Sequence, residues 1–565
     1  MARVEFLPSA VAIEVPEGTT LLEAARRARL RVESPCNGAG TCGKCSAKVT
    51  AGLERLRLLP RGATPHEESA VGRVLLCSAV VKGDVTVEVA AAASGADLQI
   101  LARGLGVELP IDPWVRKVHD PTANRTRVHA DGEVIAEEAG DTTRHALGVA
   151  VDVGTTTLVA TLVDLATGAE LASASALNPQ ATHAQDVLSR IHLASSPDGL
   201  SLLHRELMAE LDRMIGQLAA DARVPRRRIY EVVLSGNTCM LHLAAKVDPA
   251  GLGRFPYRSA VTGGQHLAAE AVGLTISRGG RVWLPPIISG YVGADITAGI
   301  LSTQLASLRG VTLFVDIGTN GEMVLAVDGA LRATSTAAGP AFEGMNITCG
   351  MRAAPGAVER FTVEGGEVRV GTIGGKPAIG LCGSGLLDAV GELAARGVID
   401  AGGRFVRDGA VLPAELAERL VTRDGKPAFR IAGDVVLTQK DIRQVQLAKG
   451  AVRAGVELLL RSAGIAPSRV DRALIAGSFG YHLRTSSLLD LGLFPGELAG
   501  RIDYVGNTSQ TGARSLLLNR GARQELAALA KGVSVVELAN DPGFQKAFVD
   551  AMAFPRSAPW RAAVT

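Results

Sequence analysis

VAVDVGTTTLVATLVDLATG, residues 149–168, has a near copy in LFVDIGTNGEMVLAVDG, residues 313–329. In each stretch an apolar strand ends in Asp-x-Gly-Thr, and a polar turn leads into a second apolar strand. The matching aspartates are Asp152 and Asp316. Because the same strand–turn–strand step occurs twice, the sequence predicts two related α/β lobes built by internal duplication.

Both turns carry groups that suit the phosphates of a nucleotide. The carboxylate can position magnesium through water, and glycine lets backbone N–H groups approach a phosphate closely. A third strand, RALIAGSFGYHL from Arg472, ends in glycines that would admit an adenine and a ribose. The predicted catalytic residues are Asp152 and Asp316. The predicted nucleotide-binding residues are Gly154, Thr155, Thr156, Gly318, Thr319, Asn320, Gly477, Ser478 and Gly480.

The stretch PCNGAGTCGKC, residues 35–45, places three cysteines among small residues. Together with a later cysteine they supply four thiolates, the number that a 2Fe-2S cluster requires. A structural zinc site is one alternative, although zinc usually takes paired Cys-x2-Cys or Cys/His units and only one such pair occurs. Inert buried cysteines are another. The predicted metal ligands are Cys36, Cys42, Cys45 and Cys77.

Composition narrows the class of protein and its location. The net charge is +2 and acidic and basic residues are interleaved, which argues against nucleic acid as a partner. The first residues lack the apolar core of a signal peptide. The longest weakly charged run, residues 146–163, contains Asp152 and a Gly-Thr turn, so no membrane span is expected. We expect a cytoplasmic protein, where clustered cysteines more often bind metal than form disulfides.

Changes of pattern along the chain suggest four parts. Residues 1–90 alternate like a small sheet crossed by one helix. Residues 91–99 are small and form a predicted linker. Residues 100–146 form a small connecting or middle domain. Residues 147–565 form a two-lobed ATPase domain.

These motifs resemble two known groups of proteins. The cysteine spacing resembles adrenodoxin-type ferredoxins, which implies an N-terminal β-grasp, ferredoxin-like α+β domain. The two turns and the third strand resemble the phosphate-1, phosphate-2 and adenosine motifs of the acetate kinase, sugar kinase, Hsp70 and actin superfamily. That resemblance implies an actin-like ATPase with duplicated α/β subdomains that binds ATP and Mg²⁺.

The two parts in this order resemble the reductive activators of corrinoid proteins. AAGPAFEGMNITCGMRAAPGAV at residues 337–358 and FQKAFVDAMAFP at residues 544–555 fit the same family. The resemblance implies an ATP-hydrolysing iron–sulfur oxidoreductase that reduces an inactive Co(II) corrinoid protein of a methyltransferase system to Co(I). It further implies an electron donor, which would be a ferredoxin, a flavodoxin or a reductase, and a homodimer formed through the ATPase domain.

Two other classes of function stay open. An ATP-dependent activator of another low-potential metalloenzyme would be expected to hold a 4Fe-4S cluster between ATPase lobes, and no suitable paired cysteines occur there. A redox-sensing ATPase or scaffold would not need both aspartates and both Gly-Thr pairs. The group that activates water is undecided among Glu343, Glu322 and Asp295.

Overall fold

The fold is described from a computed structural model. It describes residues 1–28, 44–59, 72–89, 106–406, 412–423, 425–477 and 483–555, together with positions 30, 32, 34, 38, 40 and 104. The predicted linker at 91–99 lies outside the described residues.

The N-terminal part is a five-stranded sheet crossed by one helix, with the strand order β2-β1-β7-β3-β5. The hydroxyl of Thr20 accepts a hydrogen bond from the backbone N–H of Glu23 at 3.2 Å and caps the helix. The apolar face of the helix packs on the sheet, as alternating strands and an amphipathic helix require. The elements are β1 (Ala2–Leu7), β2 (Val11–Val15), α1 (Leu21–Arg27), β3 (Ser46–Ala51), β4 (Leu56–Leu58), β5 (Arg73–Leu75), β6 (Ala79–Val81) and β7 (Val85–Glu88).

A three-stranded antiparallel sheet of the order β10-β9-β8 follows. Its strands are β8 (Val115–Asp120), β9 (Arg125–Ala130) and β10 (Glu133–Ala139). The half-buried carboxylate of Glu138 pairs with Lys117 at 2.7 Å and accepts a hydrogen bond from the hydroxyl of Tyr230. The hydrogen bond with Tyr230 fastens the small sheet to the lobe that follows.

The first lobe is built on a six-stranded sheet of the order β13-β12-β11-β14-β16-β15. The central strand, β11, pairs antiparallel with β12 and parallel with β14. Its burial on both faces explains the long apolar run that carries the first aspartate. The elements are β11 (Leu147–Val153), β12 (Thr157–Asp164), β13 (Glu170–Leu177), α2 (Val187–Ala194), α3 (Pro197–Asp221), β14 (Ile229–Gly236), α4 (Thr238–Ala245), β15 (Gln265–Ala268), β16 (Arg281–Leu284) and α5 (Ala294–Ser302).

The second lobe repeats this arrangement in the order β27-β26-β17-β18-β19-β28. Here β17 pairs antiparallel with β18 and parallel with β26, which matches β11 in the first lobe. The predicted duplication and the two-lobed actin-like fold class are therefore confirmed. The strands are β17 (Val311–Ile317), β18 (Gly321–Val327), β19 (Ala330–Thr336), β20 (Ala357–Glu364), β21 (Glu367–Thr372), β22 (Gly380–Leu381), β23 (Leu420–Arg423), β24 (Lys426–Ala432), β25 (Val435–Thr438), β26 (Arg472–Ala476), β27 (Ile502–Gly506) and β28 (Ser534–Val535).

Two smaller sheets, β21-β20-β22 and β23-β24-β25, extend the second lobe. The helices of this lobe are α6 (Gly383–Ala395), α7 (Ala414–Glu418), α8 (Gln439–Ser462), α9 (Thr485–Asp490), α10 (Thr508–Leu518), α11 (Arg520–Gly532) and α12 (Phe544–Ala551). No helix in the described parts of the chain is long and apolar enough to cross a membrane.

The two lobes exchange one helix each. Helix α5 follows the first sheet in the sequence but packs against the second, while α10 follows the second sheet and packs against the first. The two helices cross closely because both carry glycine at the contact: a Cβ on Gly512 would lie 2.2 Å from the carbonyl oxygen of Ala298. This exchange brings the starts of α5 and α10 to the two Gly-Thr turns.

Candidate functional site

Asp152 lies at the carboxyl end of β11, where the exchanged helix α10 begins. One carboxylate oxygen accepts a hydrogen bond from the side-chain amide of Asn507 at 2.9 Å, and the other accepts from the hydroxyl of Ser509 at 2.7 Å. Asn507 is also the N-cap of α10, since its side-chain oxygen accepts from the backbone N–H of Gln510. The helix start therefore fixes the orientation of the first aspartate.

Asp316 occupies the matching position at the end of β17, beside the start of α5. Within the described residues we find no hydrogen-bond donor to its carboxylate. Its neighbours are acidic instead: Glu322 is its partner in the β17–β18 register, and Asp295 lies in the first turn of α5. The second aspartate thus belongs to a group of carboxylates.

Mutual repulsion and burial favour the protonated forms of these carboxyl groups. Burial, and then the negative charge of Asp152, raise the pKa of Asp316 to about 7. Burial, and then the charges of Asp316 and Asp152, raise the pKa of Asp295 to about 8. The pKa of Glu322 is raised by burial and then by the charges of Asp295 and Asp316. A cation placed among these groups would relieve the repulsion and restore their ionised forms.

The donor set fits magnesium held mainly through water. In the described portion of the chain, no group of three or more Asp, Glu, His or Cys side chains converges closely enough to hold a metal directly. Magnesium usually keeps several waters and takes one or two protein carboxylates together with phosphate oxygens. Half-buried Asp152 and Asp316 at facing strand ends meet that requirement.

The carboxylate of Glu343 joins the two Gly-Thr turns. It accepts a hydrogen bond from the Thr156 hydroxyl at 2.5 Å and one from the Thr319 hydroxyl at 2.6 Å. Glu343 ends a short 3-10 helix, Pro340–Glu343, that leaves the second lobe after β19. One side chain therefore marks the point at which turns from both lobes converge.

Three buried or half-buried side chains donate hydrogen bonds to the first turn. The amide of Asn178 donates to the carbonyl oxygen of Gly154 at 2.9 Å, and the amide of Asn237 donates to the Thr155 hydroxyl at 2.9 Å. The fully buried guanidinium of Arg190 donates to the carbonyl oxygen of Thr155 at 2.6 Å. Burial lowers the pKa of Arg190 to about 10, so this side chain is still positively charged at neutral pH and favours an anion at the turn.

The third predicted element approaches the second turn. Gly477 follows β26 at a φ of 122°, and a Cβ at this position would lie 2.6 Å from the carbonyl oxygen of Ile317 and 3.4 Å from a carboxylate oxygen of Asp316. Only glycine allows this approach. Ser478 and Gly480, predicted with it, lie outside the described residues.

A cavity of about 1130 Å³ lies between the lobes beside the second turn. Thr319 and Asn320 contribute to one wall, and Tyr257 and Tyr291 of the first lobe contribute to the other. Its size and its mixed polar and aromatic lining suit a nucleotide-sized ligand. Gly318 forms the turn itself, with its N–H bonded to the carbonyl oxygen of Asn320 at 2.9 Å.

The cysteine site is described in part. Cys45 and Cys77 are buried, and the backbone N–H of Leu76 donates to the carbonyl oxygen of Cys45 at 2.9 Å, which brings the two cysteines to one edge of the sheet. A Cβ on Gly38 would lie 3.8 Å from the Cβ of Cys77, so Gly38 lies beside that side chain. These contacts fit a compact thiolate cluster.

Cys36 and Cys42 lie outside the described residues. The cysteines that were not predicted to bind a metal lie elsewhere, in the ATPase lobes: Cys239 and Cys382 are buried, and Cys349 is half-buried.

Sequence reasoning missed Asn507 and Ser509. A signal was present: Gly236-Asn237-Thr238 and Gly506-Asn507-Thr508 are a second repeated tripeptide, and each ends a strand and caps a helix. The role of Asn237 as both helix cap and partner of the first turn supports this view of the repeat.

Family models match almost the whole chain. The model of a 2Fe-2S iron–sulfur cluster binding domain matches residues 4–82. The model of the RACo middle region matches residues 147–307, and the model of the C-terminal domain of RACo, the ASKHA domain, matches residues 310–562.

Individual relatives agree with these models. The corrinoid activation enzyme RamQ of Eubacterium limosum is 34% identical over 412 residues, which span 71% of this chain and 69% of the relative. The Co(II) methylated amine-specific corrinoid protein reductase of Methanosarcina barkeri is 25% identical over 422 residues, or 69% of this chain and 73% of the relative. A solved structure of a reductive activator for corrinoid, iron–sulfur protein is 31% identical, with a TM-score of 0.72 over 98% of this chain and 99% of that one.

Proposed function

Since this chain belongs to the family of reductive activators of corrinoid proteins, we propose that it couples ATP hydrolysis to the reduction of an inactive Co(II) corrinoid protein of a methyltransferase system to Co(I). Its partner is a corrinoid protein, and its cofactors include a 2Fe-2S cluster and ATP. The identity of that partner is the part that experiment has to supply.

The convergence of Thr156 and Thr319 on the carboxylate of Glu343 is the observation that carries the ATPase assignment. Two hydroxyls from two lobes are aimed at one anionic group, and a phosphate is an anionic group of the same kind. Pre-oriented donors of this sort stabilise charge that develops during phosphoryl transfer.

We propose one role for each group of site residues. Asp152 and Asp316 hold hydrated Mg²⁺ from facing strand ends. The turns of Gly154, Thr155 and Thr156 and of Gly318, Thr319 and Asn320 bind the phosphates. Gly477, Ser478 and Gly480 admit the adenosine. Magnesium, when bound, neutralises phosphate charge. Asp295 is the proposed proton acceptor for the attacking water, because its carboxyl interacts with those of Asp316 and Asp152 and a bound cation would restore its ionised form.

Cys36, Cys42, Cys45 and Cys77 are the proposed ligands of the cluster, with Cys45 and Cys77 supplied from neighbouring turns of one sheet. When bound, the 2Fe-2S cluster supplies one electron at low potential. Ferredoxin clusters of the plant kind lie near ~−400 mV. Each ~59 mV by which the acceptor lies lower costs about tenfold in a one-electron equilibrium. An electron transfer that is thermodynamically unfavourable explains why the same chain would also bind and hydrolyse ATP.

We propose a division of labour along the chain: residues 1–90 carry the electron, 91–99 join, 100–146 connect, and 147–565 bind and hydrolyse ATP. The electron donor is a ferredoxin, a flavodoxin or a reductase. A homodimer through the ATPase domain is the proposed assembly. The cytoplasm is the proposed location, because thiolate ligands and a low-potential cluster need a reducing compartment.

The cluster ligands can be tested by Cys42→Ala. We expect the EPR signal of the reduced protein to disappear while ATP binding, measured by titration calorimetry, is retained, because the nucleotide site lies in other domains. Cys349→Ala is the matched control and should keep both properties. A Cys42→Ala protein that still binds two irons and two sulfides per chain, as expected for a 2Fe-2S centre, would refute the ligand set.

The activity can be tested by following the Co(II) absorbance of candidate corrinoid proteins under anaerobic conditions. Loss of Co(II) should require ATP-Mg²⁺ and an electron donor together, and free cobalamin should react poorly because it lacks a protein surface to recognise. Reduction at the same rate without ATP would contradict the coupling. Failure with all candidate corrinoid proteins would favour the alternatives, an activator of another metalloenzyme or a redox-sensing ATPase.

A further inference from the structure

Lys44 of the ferredoxin-like domain contacts the second ATPase lobe. The Nζ of Lys44 donates to the carbonyl oxygen of Thr348 at 3.1 Å and to that of Gly350 at 2.9 Å. Lys44 lies in the sequence between Cys42 and Cys45. The contact is therefore made by the stretch that carries the proposed cluster ligands, which is also the stretch that an electron acceptor has to approach.

Residues 344–351, which we call the docking loop, continue directly from Glu343. The two ends of the loop pack tightly against each other, because a Cβ on Gly350 would lie 2.0 Å from the carbonyl oxygen of Gly344. Backbone atoms in such close packing cannot move independently. A displacement of Glu343 is thereby passed to the carbonyl oxygens that hold Lys44.

The segment that carries Glu343 is flanked by two glycines in the left-handed backbone region. Gly339 and Gly344 flank the short helix Pro340–Glu343 with φ values of 77° and 76°, a backbone region that glycine enters freely. On its far side the docking loop is anchored: the N–H and hydroxyl of Thr348 donate to one carboxylate oxygen of Asp441 at 2.7 and 2.9 Å. The loop is also tied to β22: the N–H of Met351 donates to the carbonyl oxygen of Leu381 at 2.7 Å, and the N–H of Leu381 donates to that of Cys349 at 2.8 Å. A shift of the loop therefore has to break some of these hydrogen bonds.

A phosphate between the two Gly-Thr turns competes with Glu343 for the same hydroxyls. Thr156 and Thr319 each have one hydroxyl proton to donate, and both donate to this carboxylate. Two anions in contact also repel each other strongly in a half-buried site. Phosphate binding therefore drives the carboxylate of Glu343 away from the turns.

We propose that the docking loop is a nucleotide-controlled docking surface for the ferredoxin-like domain of the same chain. With Glu343 on the two threonines, the loop holds Lys44, which belongs in the sequence to the stretch that carries the proposed cluster ligands. Nucleotide binding displaces Glu343, shifts the loop and frees that stretch for the corrinoid partner. The inference rests on the proposed ATP site.

The test is hydrogen–deuterium exchange of the full-length, cluster-loaded protein without any corrinoid partner. Two peptides report: one over the docking loop and one over residues 44–51. The second is decisive, because it belongs to a domain that does not touch the nucleotide. A non-hydrolysable ATP analogue with Mg²⁺ should raise exchange in both peptides by at least ~5-fold, the effect of losing about one net hydrogen bond.

Variants separate the steps. Lys44→Ala should raise exchange in both peptides without nucleotide, whereas the control Lys48→Ala, which replaces an exposed lysine on β3, should change neither. In Glu343→Ala, exchange in both peptides should be raised even without nucleotide. Binding of the analogue should then cause no further change in residues 44–51.

The outcomes are distinguishable from those of the proposed function. Calorimetry establishes whether the analogue is bound in each sample, and corrinoid reduction is assayed separately. Wild-type protein that binds the analogue with no change in residues 44–51 would overturn the inference while leaving reductive activation intact. Unchanged exchange in Lys44→Ala would overturn it as well.

Discussion

The two Gly-Thr turns share one strand order but differ at the helix that meets each of them. At the first, α10 begins with Asn507 as N-cap and Ser509 two residues on, and both side chains donate to Asp152. At the second, α5 begins with Gly293 as N-cap and has Asp295 at the corresponding place. Duplication has thus placed a donor opposite one aspartate and a carboxylate opposite the other.

The difference separates two tasks within one pseudo-symmetric site. Burial raises the pKa of Asp152, and the hydrogen bonds from Ser509 and Asn507 oppose that rise because they favour the ionised form and orient it. Asp316 has an acidic neighbour, and its pKa is raised to about 7 by burial and by Asp152. The hydrogen bonds to Asp152 are present before a ligand binds. The carboxyl groups around Asp316, in contrast, are stabilised in their ionised forms only when a cation binds.

The largest effect should come from replacing either aspartate. Asp152→Asn and Asp316→Asn each keep size but remove the charge beside the metal, so ATP hydrolysis should fall by at least ~10²-fold in both. The steady-state rate of phosphate release measures this loss of ATP hydrolysis. Normal hydrolysis in both variants would show that the repeat is only structural.

The same pair should differ in stability. In Asp152→Asn an amide group has to face Asn507 or Ser509, which both donate, so the variant should be less stable than wild type. Asp316→Asn removes repulsion with Asp295 and should be more stable in metal-free buffer. Differential scanning calorimetry of the thermal unfolding of the ATPase domain measures both changes in stability. Equal shifts of the melting temperature in the two variants would contradict the comparison.

The two halves show which features of the site could be predicted from the sequence. Each Asp-x-Gly-Thr turn is a local signal, because strand, turn and strand are adjacent in the chain, and the duplicated fold follows from it. The ferredoxin-like domain was likewise predictable from its cysteine spacing. The roles assigned to the individual site residues are still predictions.

The contacts of Asp152 and Glu343 were not predictable in the same way. Asn507 lies 355 residues from Asp152, and the two meet only because the lobes exchange helices. Glu343 lies 187 residues from Thr156, on a short helix with no periodic pattern. Such contacts depend on how whole elements pack, which periodicity does not encode.

An intermediate effect should appear in the pH dependence of stability. A carboxyl whose pKa is raised in the folded state keeps its proton there while the unfolded chain loses it, so stability falls as pH rises from the unfolded pKa to the folded one. The pKa of Asp295 is raised from 3.8 to about 8. Metal-free protein should therefore lose thermal stability between about pH 4 and about pH 8.

Magnesium and Asp295→Asn test the cause. Mg²⁺ should raise the melting temperature mainly at the alkaline end, where the carboxylates are ionised and can bind it. Asp295→Asn should flatten the pH dependence and reduce the Mg²⁺ effect. Ser509→Ala, at the matching place in the other half, removes a hydrogen bond that lowers the pKa of Asp152, so it should not flatten the slope. A flattened slope there would contradict the assignment of the repulsion to the second half.

The smallest effect is expected at Asn237, which both caps α4 and donates to the hydroxyl of Thr155. Asn237→Ala should cost about 1 kcal/mol as a lost N-cap. It should also raise the KM for ATP by ~5-fold, because the first turn loses one support. Asn519→Ala is the matched control: Asn519 caps α11, and its amide donates to the carbonyl of Pro110. That variant should lose similar stability with KM unchanged. An equal rise in KM in both variants would mean that the first turn is no more prearranged than the rest of the fold.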